Sequence, residues 1–323
     1  MALLSVIIPS YNEESNIQNT ISVLSTVLRQ ANIAYELLFI SDGSKDQTFP
    51  LIRRAAEEDD RVRGVQFSRN FGKEAAIFAG LRLAKGDCCV VIDCDLQHPP
   101  ETIPQMYRYW EQGYEIVEGI KSNRGKEKLS YKISSGLFYK LLGKLTGVDM
   151  ADSSDFKLLD RKVVDVLNSL PERNTFFRAL SFWAGFRSIH VEYEVVERKY
   201  GESKWSLKGL WKYAVSNITS FSSAPMQMVT GLGMLFLIIS VVLGIQTLVK
   251  YFSHQAVEGF TTVILLLLII GGVLMMSLGI IGYYIAKIYD EVKGRPRYII
   301  GDMTDNLYAT SLKAGADRND GTV

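Results

Sequence analysis

Residues 88–100 read Cys-Cys-Val-Val-Ile-Asp-Cys-Asp-Leu-Gln-His-Pro-Pro. The apolar run Val90–Ile92 predicts a parallel strand that is buried on both faces, because neither face carries a polar residue. Pro99 and Pro100 prevent the strand from continuing and can open a helix. This stretch therefore predicts a buried strand followed by a helix, and the rest of the chain is organised around it.

Oxygen-bearing side chains follow this strand at alternate positions, at Asp93, Asp95 and Gln97. In an open parallel sheet, ligands bind beyond the carboxyl ends of the strands. Carboxylates placed there are costly unless a cation pairs with them. Hard oxygen ligands suit Mg²⁺ or Mn²⁺, which often bridge a carboxylate and a diphosphate. We therefore predict a metal site at these three residues; the alternative is a strand-end turn in which both aspartates are solvated.

The composition limits the class of protein. The chain has 323 residues and a net charge of +1, which excludes a broadly basic nucleic-acid binder. The three cysteines, Cys88, Cys89 and Cys94, lie on or beside the strand. Neighbouring strand residues point to opposite faces, so the first two make a poor metal pair. We expect buried thiols in a reducing compartment, without disulfides.

Three further strand-like runs precede this one, each followed by a polar loop and a helical pattern. They are Leu3–Pro9, Tyr35–Ile40 and Val62–Phe67. Strands that alternate with helices at this spacing predict a doubly wound, Rossmann-like α/β sheet. The chain has no Gly-x-Gly-x-x-Gly after the first strand and no Gly-Lys-Ser/Thr loop. These absences argue against a dinucleotide oxidoreductase and against a P-loop NTPase.

Several strand-end residues have specific expected roles. Tyr11 is placed to stack on a base, or else it covers a helix end. Asn12 is expected to cap the first helix. Asp42 is suited to hydrogen-bond a base or ribose. Lys73, near a helix N-terminus, favours a phosphate together with the helix dipole; the alternative is an ordinary pair with Glu74 or exposure to solvent.

These loops together resemble the nucleotide-sugar site of family 2 glycosyltransferases. The matching segments are Pro9-Ser10-Tyr11-Asn12-Glu13, Asp42-Gly43-Ser44, Asn70-Phe71-Gly72-Lys73 and Asp93-Cys94-Asp95-Leu96-Gln97. The resemblance implies a GT-A fold, a nucleotide sugar bound by these loops, including Pro9 and Glu13, and a divalent metal at the Asp-x-Asp segment.

Two segments, 229–249 and 260–286, contain no Asp, Glu, Lys or Arg. Each is long enough to cross a bilayer as a helix, although a buried helix of a soluble protein is the alternative. Basic residues flank the outer ends of both segments, which predicts that both termini are cytosolic. The predicted organisation is a cytosolic catalytic domain 1–204, an amphipathic interface region 205–226, a two-helix transmembrane hairpin 227–287 with an external loop 250–259, and a cytosolic tail 288–323.

Two further segments resemble the polyprenyl-phosphate branch of the family. Asp155 resembles its acceptor-side aspartate, and the run Arg-x-x-Gly-x-Ser-Lys-Trp, residues 198–205, resembles a segment that lies near the diphosphate and the acceptor phosphate. Arg198 can grip a phosphate by two hydrogen bonds, and Lys204 adds a point charge. The alternative is that these basic residues are membrane anchors. The basic, polar loop 122–126 is expected to be mobile over the site. An amphipathic helix at 131–145 fits a membrane surface, although packing on the domain would give the same stripe.

The resemblance is closest to bactoprenol glucosyltransferases, which are similar to dolichol-phosphate mannosyltransferase. It implies inverting transfer of a hexose, with UDP-glucose as the preferred donor, to undecaprenyl phosphate at the cytoplasmic face of a bacterial inner membrane. Glycines in both spans permit close packing in the hairpin or in a homo-oligomer, for which a tetramer is possible. The implied catalytic residues are Asp95, Asp155, Arg198 and Lys204, and the implied acceptor-phosphate residues are Arg198, Ser203, Lys204 and Arg124.

Three alternatives remain open from the sequence. A processive polysaccharide synthase shares the N-terminal motifs, but the chain lacks its Gln-x-x-Arg-Trp segment. A transferase of formamido-arabinose, N-acetylhexosamine or mannose shares almost every motif. A non-catalytic nucleotide-sugar sensor or membrane scaffold has no need of Asp93, Asp95, Arg198 and Lys204, and their presence argues against it.

Overall fold

The computed structural model describes residues 2–121, 154–172, 175–194, 224–253 and 259–307. The chain forms two compact units, one of residues 1–204 with 296–323 and the other of residues 205–295. The strands are β1 Leu3–Ser10, β2 Ala34–Ser41, β3 Val62–Phe67, β4 Cys88–Val91, β5 Ile116–Lys121, β6 Lys157–Asp160, β7 Ser188–Tyr193 and β8 Ile300–Met303. The helices are α1 Ile17–Gln30, α2 Thr48–Glu58, α3 Lys73–Leu83, α4 Ile103–Glu111, α5 Arg161–Ser169, α6 Phe177–Trp183, α7 Ala224–Phe252 and α8 Phe260–Val292, with a 3-10 turn at Pro100–Thr102.

The first unit is built on one eight-stranded sheet with the order β7-β5-β6-β4-β1-β2-β3-β8. Strands β1 to β4 pair in parallel, as the alternation of strands and helices predicts. All four residues of β4 are buried, which agrees with the apolar pattern of the opening stretch. The three cysteines are free and buried, as expected.

The sheet is mixed, and this differs from the parallel arrangement expected from the sequence. Strand β6 runs antiparallel to both β4 and β5, and β8 runs antiparallel to β3. Strand β6 therefore separates β4 from β5, the next strand along the chain. As a result, residues just before β6 come to the same edge of the sheet as the end of β4.

The segment after the second long helix is part of the first unit. Tyr298 stacks on Phe67 with ring centroids 5.0 Å apart, and the Ile299 carbonyl accepts the N–H of Ser68 at 2.9 Å. The hydroxyl of Thr304 accepts the N–H of Gly64 at 3.1 Å. The prediction of a simple tail over 288–323 is thus wrong, because α8 continues to Val292 and β8 covers the otherwise open edge of β3.

The second unit contains α7 and α8, of 29 and 33 residues. Within the described part of the chain, one helical stretch, Ile269–Val292, has the length and composition of a membrane span, with a mean hydropathy of 1.9 and none of its most apolar window buried. The apolar stretch Val229–Leu243 in α7 is shorter. The two-helix hairpin therefore stays a prediction.

Candidate active site

A cavity of about 290 Å³ lies where β1, β2 and β4 end. Parallel strands bring their carboxyl ends to one edge of the sheet, so loops that are distant in the sequence meet there. Its lining residues are Pro9, Ser10, Tyr11, Glu13, Asp42, Asn70, Gly72, Lys73, Ala76, Asp93, Cys94 and Asp95. The structure therefore gathers seven residues of the predicted site: Pro9, Tyr11, Glu13, Asp42, Lys73, Asp93 and Asp95.

A second cavity of about 470 Å³ shares Tyr11 and Asn70 with the first. Its other lining residues are Gly43, Ser44, Lys45, Gln66, Phe67, Ser68 and Arg69. Gly43 has a φ of +64°, and a Cβ there would lie 2.3 Å from the backbone carbon of Arg69. Glycine at this position therefore allows the loops after β2 and β3 to touch. The Tyr11 side chain, 41% exposed, borders both cavities.

Asp42 is buried at the end of β2 and holds the loop after β3. Its two carboxylate oxygens accept the N–H groups of Phe71 at 2.6 Å and Gly72 at 2.9 Å. Burial raises the pKa of Asp42 in spite of these two hydrogen bonds. Asp42 thus has a structural task in shaping the cavity, and its predicted contact with a base or ribose stays a prediction.

Asn12 does not cap the first helix, and that prediction is wrong. Helix α1 begins later, at Ile17, with Asn16 at its N-cap position. The Asn12 side chain instead accepts the N–H of Lys45 at 2.9 Å, and its backbone has a φ of +54°. Asn12 therefore ties the loop after β1 to the loop after β2, on the side of the second cavity.

The Asp-x-Asp turn has an unusual backbone conformation. Leu96 adopts a φ of +53°, which is rare for a leucine, and the N–H of Gln97 donates to Asp95 Oδ1 at 3.2 Å. This turn directs Asp93 and Asp95 into the first cavity, whereas Gln97 is absent from its lining. Because the chain reverses at Leu96, Gln97 is separated from the other two predicted metal ligands, Asp93 and Asp95.

The donor set fits a divalent cation that a substrate helps to hold. Among the residues that the structure describes, no group of three or more His, Cys, Asp or Glu side chains is arranged around one metal position. The two carboxylates of Asp93 and Asp95 line a cavity large enough for a diphosphate. Mg²⁺ is commonly held by one or two carboxylates together with substrate phosphates, which matches this arrangement.

Lys73 joins two parts of the site that are far apart in the sequence. Its ammonium lies 2.6 Å from Asp93 Oδ1 and 2.9 Å from Asp155 Oδ2. Lys73 thus bridges two carboxylates while its side chain stays 42% exposed, and its predicted contact with a phosphate stays a prediction. Asp155 is brought into reach because it lies two residues before the start of β6, which pairs with β4.

Arg178 is a site residue that the sequence analysis missed. Its guanidinium binds Asp155 through two hydrogen bonds, from Nε to Oδ1 at 2.7 Å and from Nη2 to Oδ2 at 3.1 Å. Burial favours the neutral form of Asp155, but Lys73 and Arg178 outweigh it and hold the pKa of this carboxyl well below its usual range. Likewise, Asp93 and Asp155 outweigh the effect of burial on Lys73 and raise its pKa. Asp155 and Lys73 are therefore charged at neutral pH.

A set of buried hydrogen bonds holds the residues around Asp155 in place. Lys157, almost fully buried in β6, donates to Ser181 Oγ at 2.9 Å and lies 3.2 Å from Glu118. Ser181 in turn donates to the carbonyl of Arg178 at 3.0 Å. The N–H of Ser154 donates to Glu118 at 3.0 Å. This arrangement fixes the chain on both sides of Asp155.

His98 is a second residue without a role in the sequence analysis. It is buried, stacks on Phe156 with centroids 5.1 Å apart, and meets Tyr193 edge-on at 5.6 Å. Its Nδ1 lies 3.9 Å from Asp93 Oδ2. Burial lowers the pKa of His98, so the ring is neutral near pH 7. His98 packs directly behind Asp93, one of the predicted metal ligands.

The Glu74 carboxyl has a raised pKa and is partly protonated near pH 7. It accepts the N–H of Phe177 at 2.8 Å, and burial together with the nearby Asp155 charge raises its pKa from 4.5 to about 7. The folded protein therefore binds this proton more tightly than the unfolded chain, and stability is lost as the pH rises from about 4.5 to 7.

We expect Glu74→Gln to remove this loss, because the amide oxygen still accepts the Phe177 N–H without carrying a charge. The effect is on the order of 2 kcal/mol, or about 4–8 °C in melting temperature at pH 7.5. The measurement is thermal melting of the full chain in detergent at pH 5 to 8. Glu58→Gln on the exposed face of α2 is the control. If the melting temperatures of wild type and Glu74→Gln changed with pH in the same way, this would contradict the assignment of the stability loss to Glu74.

Four of the predicted site residues lie outside the described residues. They are Arg124, Arg198, Ser203 and Lys204. Their roles as acceptor-phosphate or catalytic groups stay predictions, as does the amphipathic helix at 131–145.

Fold and site together define a class of protein. A mixed α/β sheet whose parallel strand ends form a cavity with an Asp-x-Asp turn is a GT-A type nucleotide-binding domain. The sequence profile described as "Glycosyl transferase family 2" matches residues 5–167, and the chain belongs to this family. The protein is therefore a glycosyltransferase.

Its relatives match almost the whole chain. It is 41% identical over 302 residues to "Uncharacterized glycosyltransferase YkcC" of Bacillus subtilis, covering 92% of each chain. It is 38% identical over 302 residues to "Bactoprenol glucosyl transferase" of Shigella phage SfII, covering 92% of this chain and 97% of the other. A crystal structure of glucosyl-3-phosphoglycerate synthase from Mycobacterium tuberculosis aligns over 68% of this chain and 80% of its own, with 20% identity and a TM-score of 0.47.

Proposed function

We propose that this glycosyltransferase moves glucose from UDP-glucose to undecaprenyl phosphate, with inversion, at the cytoplasmic face of a bacterial inner membrane. The observation that carries the proposal is the cluster at the end of β4. There, two aspartates line a cavity beside a lysine that also contacts a buried third aspartate. Such a cluster suits a reaction between two phosphate-bearing substrates.

In this proposal the donor lies along the two cavities, which share Tyr11 and Asn70 in their linings. Its diphosphate lies near Asp93 and Asp95, and its nucleoside extends past Tyr11, whose exposed ring offers a face for the base. Asp95 and Asp93 would hold the divalent metal, which when bound neutralises the charge on the leaving diphosphate; Gln97, the third predicted ligand, does not line this cavity. Lys73 adds a fixed positive charge on the same side.

The acceptor chemistry needs positioning more than proton removal. A phosphate oxygen of the acceptor attacks the anomeric carbon, the bond from that carbon to the diphosphate breaks, and UDP leaves with the electron pair. A phosphate oxygen is already anionic near pH 7, so no strong general base is required. Asp155 fits this chemistry, because a carboxylate whose pKa is held low is a weak base. Its role is to orient Lys73 and Arg178.

The proposed lipid acceptor and membrane location rest on the relatives of the chain and on its composition. The Shigella phage relative that is named a bactoprenol glucosyl transferase aligns over nearly its full length, including the region of the long helices. The apolar stretch Ile269–Val292 suits an anchor that would hold the catalytic domain at headgroup depth, where a lipid phosphate is accessible. A two-span, multi-pass topology with cytosolic termini, and a homo-oligomer, belong to the same proposal.

The test is transfer by the purified full chain in detergent with undecaprenyl phosphate, Mg²⁺ or Mn²⁺ and a panel of nucleotide sugars. We expect lipid-linked glucose from UDP-glucose, with turnover lost in EDTA and restored by excess metal. Donors of formamido-arabinose, N-acetylhexosamine and mannose are the other arms, and exclusive reaction of one of these would replace glucose. UDP binding without transfer from any donor would favour the non-catalytic sensor.

A further inference from the structure

Arg178 occupies a position that the function described so far does not explain. It is the second residue of α6, and its neighbours fix the start of that helix. Phe177 is fully buried, meets Phe78 edge-on at 6.4 Å, and donates its N–H to Glu74. The guanidinium is therefore attached to a rigid support beside the cavity residue Lys73.

Two cations, Lys73 and Arg178, share Asp155 as a partner. Lys73 also pairs with Asp93, whereas the nearby Lys157 is paired with Glu118. When a donor with its metal engages Asp93, Lys73 loses part of this compensation. The local potential then becomes more positive, which favours an incoming anion beside Arg178.

The geometry of Arg178 suits that anion. Its side chain is 30% exposed, whereas the Asp155 side chain that it grips is 8% exposed, so the guanidinium is the accessible member of the pair. The planar fork that binds the two oxygens of Asp155 is the arrangement that also binds two oxygens of a phosphate. Asp155 thus holds the guanidinium in an orientation that matches an oxyanion.

We propose that Arg178 binds the phosphate monoester of the acceptor, and that Asp155 orients it for this contact in the free enzyme. The inference rests on the proposed function and adds a residue to it. Lys73 then lies between the donor diphosphate near Asp93 and the acceptor phosphate at Arg178. The two anionic substrates are held on opposite sides of one lysine, which reduces their mutual repulsion as they approach.

The test separates the two substrates. In Arg178→Gln, the KM for undecaprenyl phosphate rises about 10- to 100-fold, the range expected for lost charge-assisted hydrogen bonds, while the KM for UDP-glucose changes less than about twofold. Arg178→Lys gives an intermediate acceptor KM, because it keeps the charge and loses the fork. If Arg178→Gln does not fold, the acceptor KM of Arg178→Lys alone tests the proposal. Arg54→Gln, on the exposed face of α2, leaves both KM values unchanged.

A lower kcat with an unchanged acceptor KM in both Arg178 variants would overturn the inference, because Arg178 would then only brace Asp155. Calorimetric titration of farnesyl phosphate into the full chain with UDP and Mn²⁺ separates this inference from the proposed function. Binding that weakens in Arg178→Gln, with no sugar transfer by the wild type, would contradict the proposed function and support the inference. Equal binding by wild type and variant would overturn the inference alone.

Discussion

Asp95→Asn should reduce sugar transfer by at least about 10³-fold while the protein stays folded. Asp95 lines the cavity at the end of β4 together with Asp93, whose carboxylate pairs with Lys73. Removing its charge weakens the hold on a divalent metal, whose stabilisation of a leaving diphosphate is worth several kcal/mol. The measurements are turnover with saturating UDP-glucose and undecaprenyl phosphate, and calorimetric binding of UDP with and without Mn²⁺.

Two controls make the result specific. Asp165→Asn removes a carboxylate from the exposed face of α5 and should leave turnover unchanged. Melting temperatures in detergent should agree within about 2 °C among wild type and both variants, since Asp95 is a partly exposed turn residue. Near-wild-type turnover in Asp95→Asn would remove the metal assignment. Lost turnover with intact Mn²⁺-dependent UDP binding would move the metal to other residues.

The parallel half of the fold could be predicted from local patterns. Strand β3 has the predicted bounds, and β1, β2 and β4 differ from theirs by one or two residues, because each is a short apolar run closed by polar or turn-forming residues. The edge at which the site lies also follows from the sequence, since parallel strands end together. That is why Pro9, Tyr11, Asp42 and the Asp-x-Asp pair could be placed near one another.

The antiparallel strands could not be predicted in the same way. The pairing of β6 with β4 depends on a segment nearly 70 residues away, and no local period reveals which strand it joins. Lys157 sits in β6 with a buried ammonium, which hides the apolar signal of a strand. Strand β8 returns to the sheet only after two long apolar helices, so composition alone assigned its residues to a tail.

The contacts around Lys73 could not be predicted from local sequence patterns either. Arg178 lies in an apolar helical stretch, where one arginine has no motif around it. Its signal is spatial, a bidentate pair with Asp155 across 23 residues. The reversal at Leu96 is likewise invisible, because a positive φ at leucine is imposed by the surrounding fold.

Asp155→Ala should affect both catalysis and stability, and it is the sharpest test of this cluster. Asp155 contacts both Lys73 and Arg178. Removing one partner of a buried ion pair costs about 3–5 kcal/mol, because the remaining charges lose their compensation. Since Lys73 and Arg178 are partly exposed and Lys73 keeps Asp93, we expect about 2–3 kcal/mol, or a fall of about 5–10 °C in melting temperature.

The activity of the Asp155 variants distinguishes an orienting group from a base. If Asp155 orients two cations, Asp155→Asn loses at least about 10²-fold in turnover, and the pH profile of the residual activity between pH 6 and 9 keeps its shape. If Asp155 were a general base with a pKa near the working pH, the wild-type profile would show a rising limb that the variant lacks. The lowered pKa instead keeps Asp155 ionised throughout this pH range, so its own protonation contributes no limb above pH 6. A flat wild-type profile above pH 6, with reduced melting temperature and turnover in both variants, is therefore the expected result. A limb near neutral pH that disappears with Asp155 would assign the proton transfer to it.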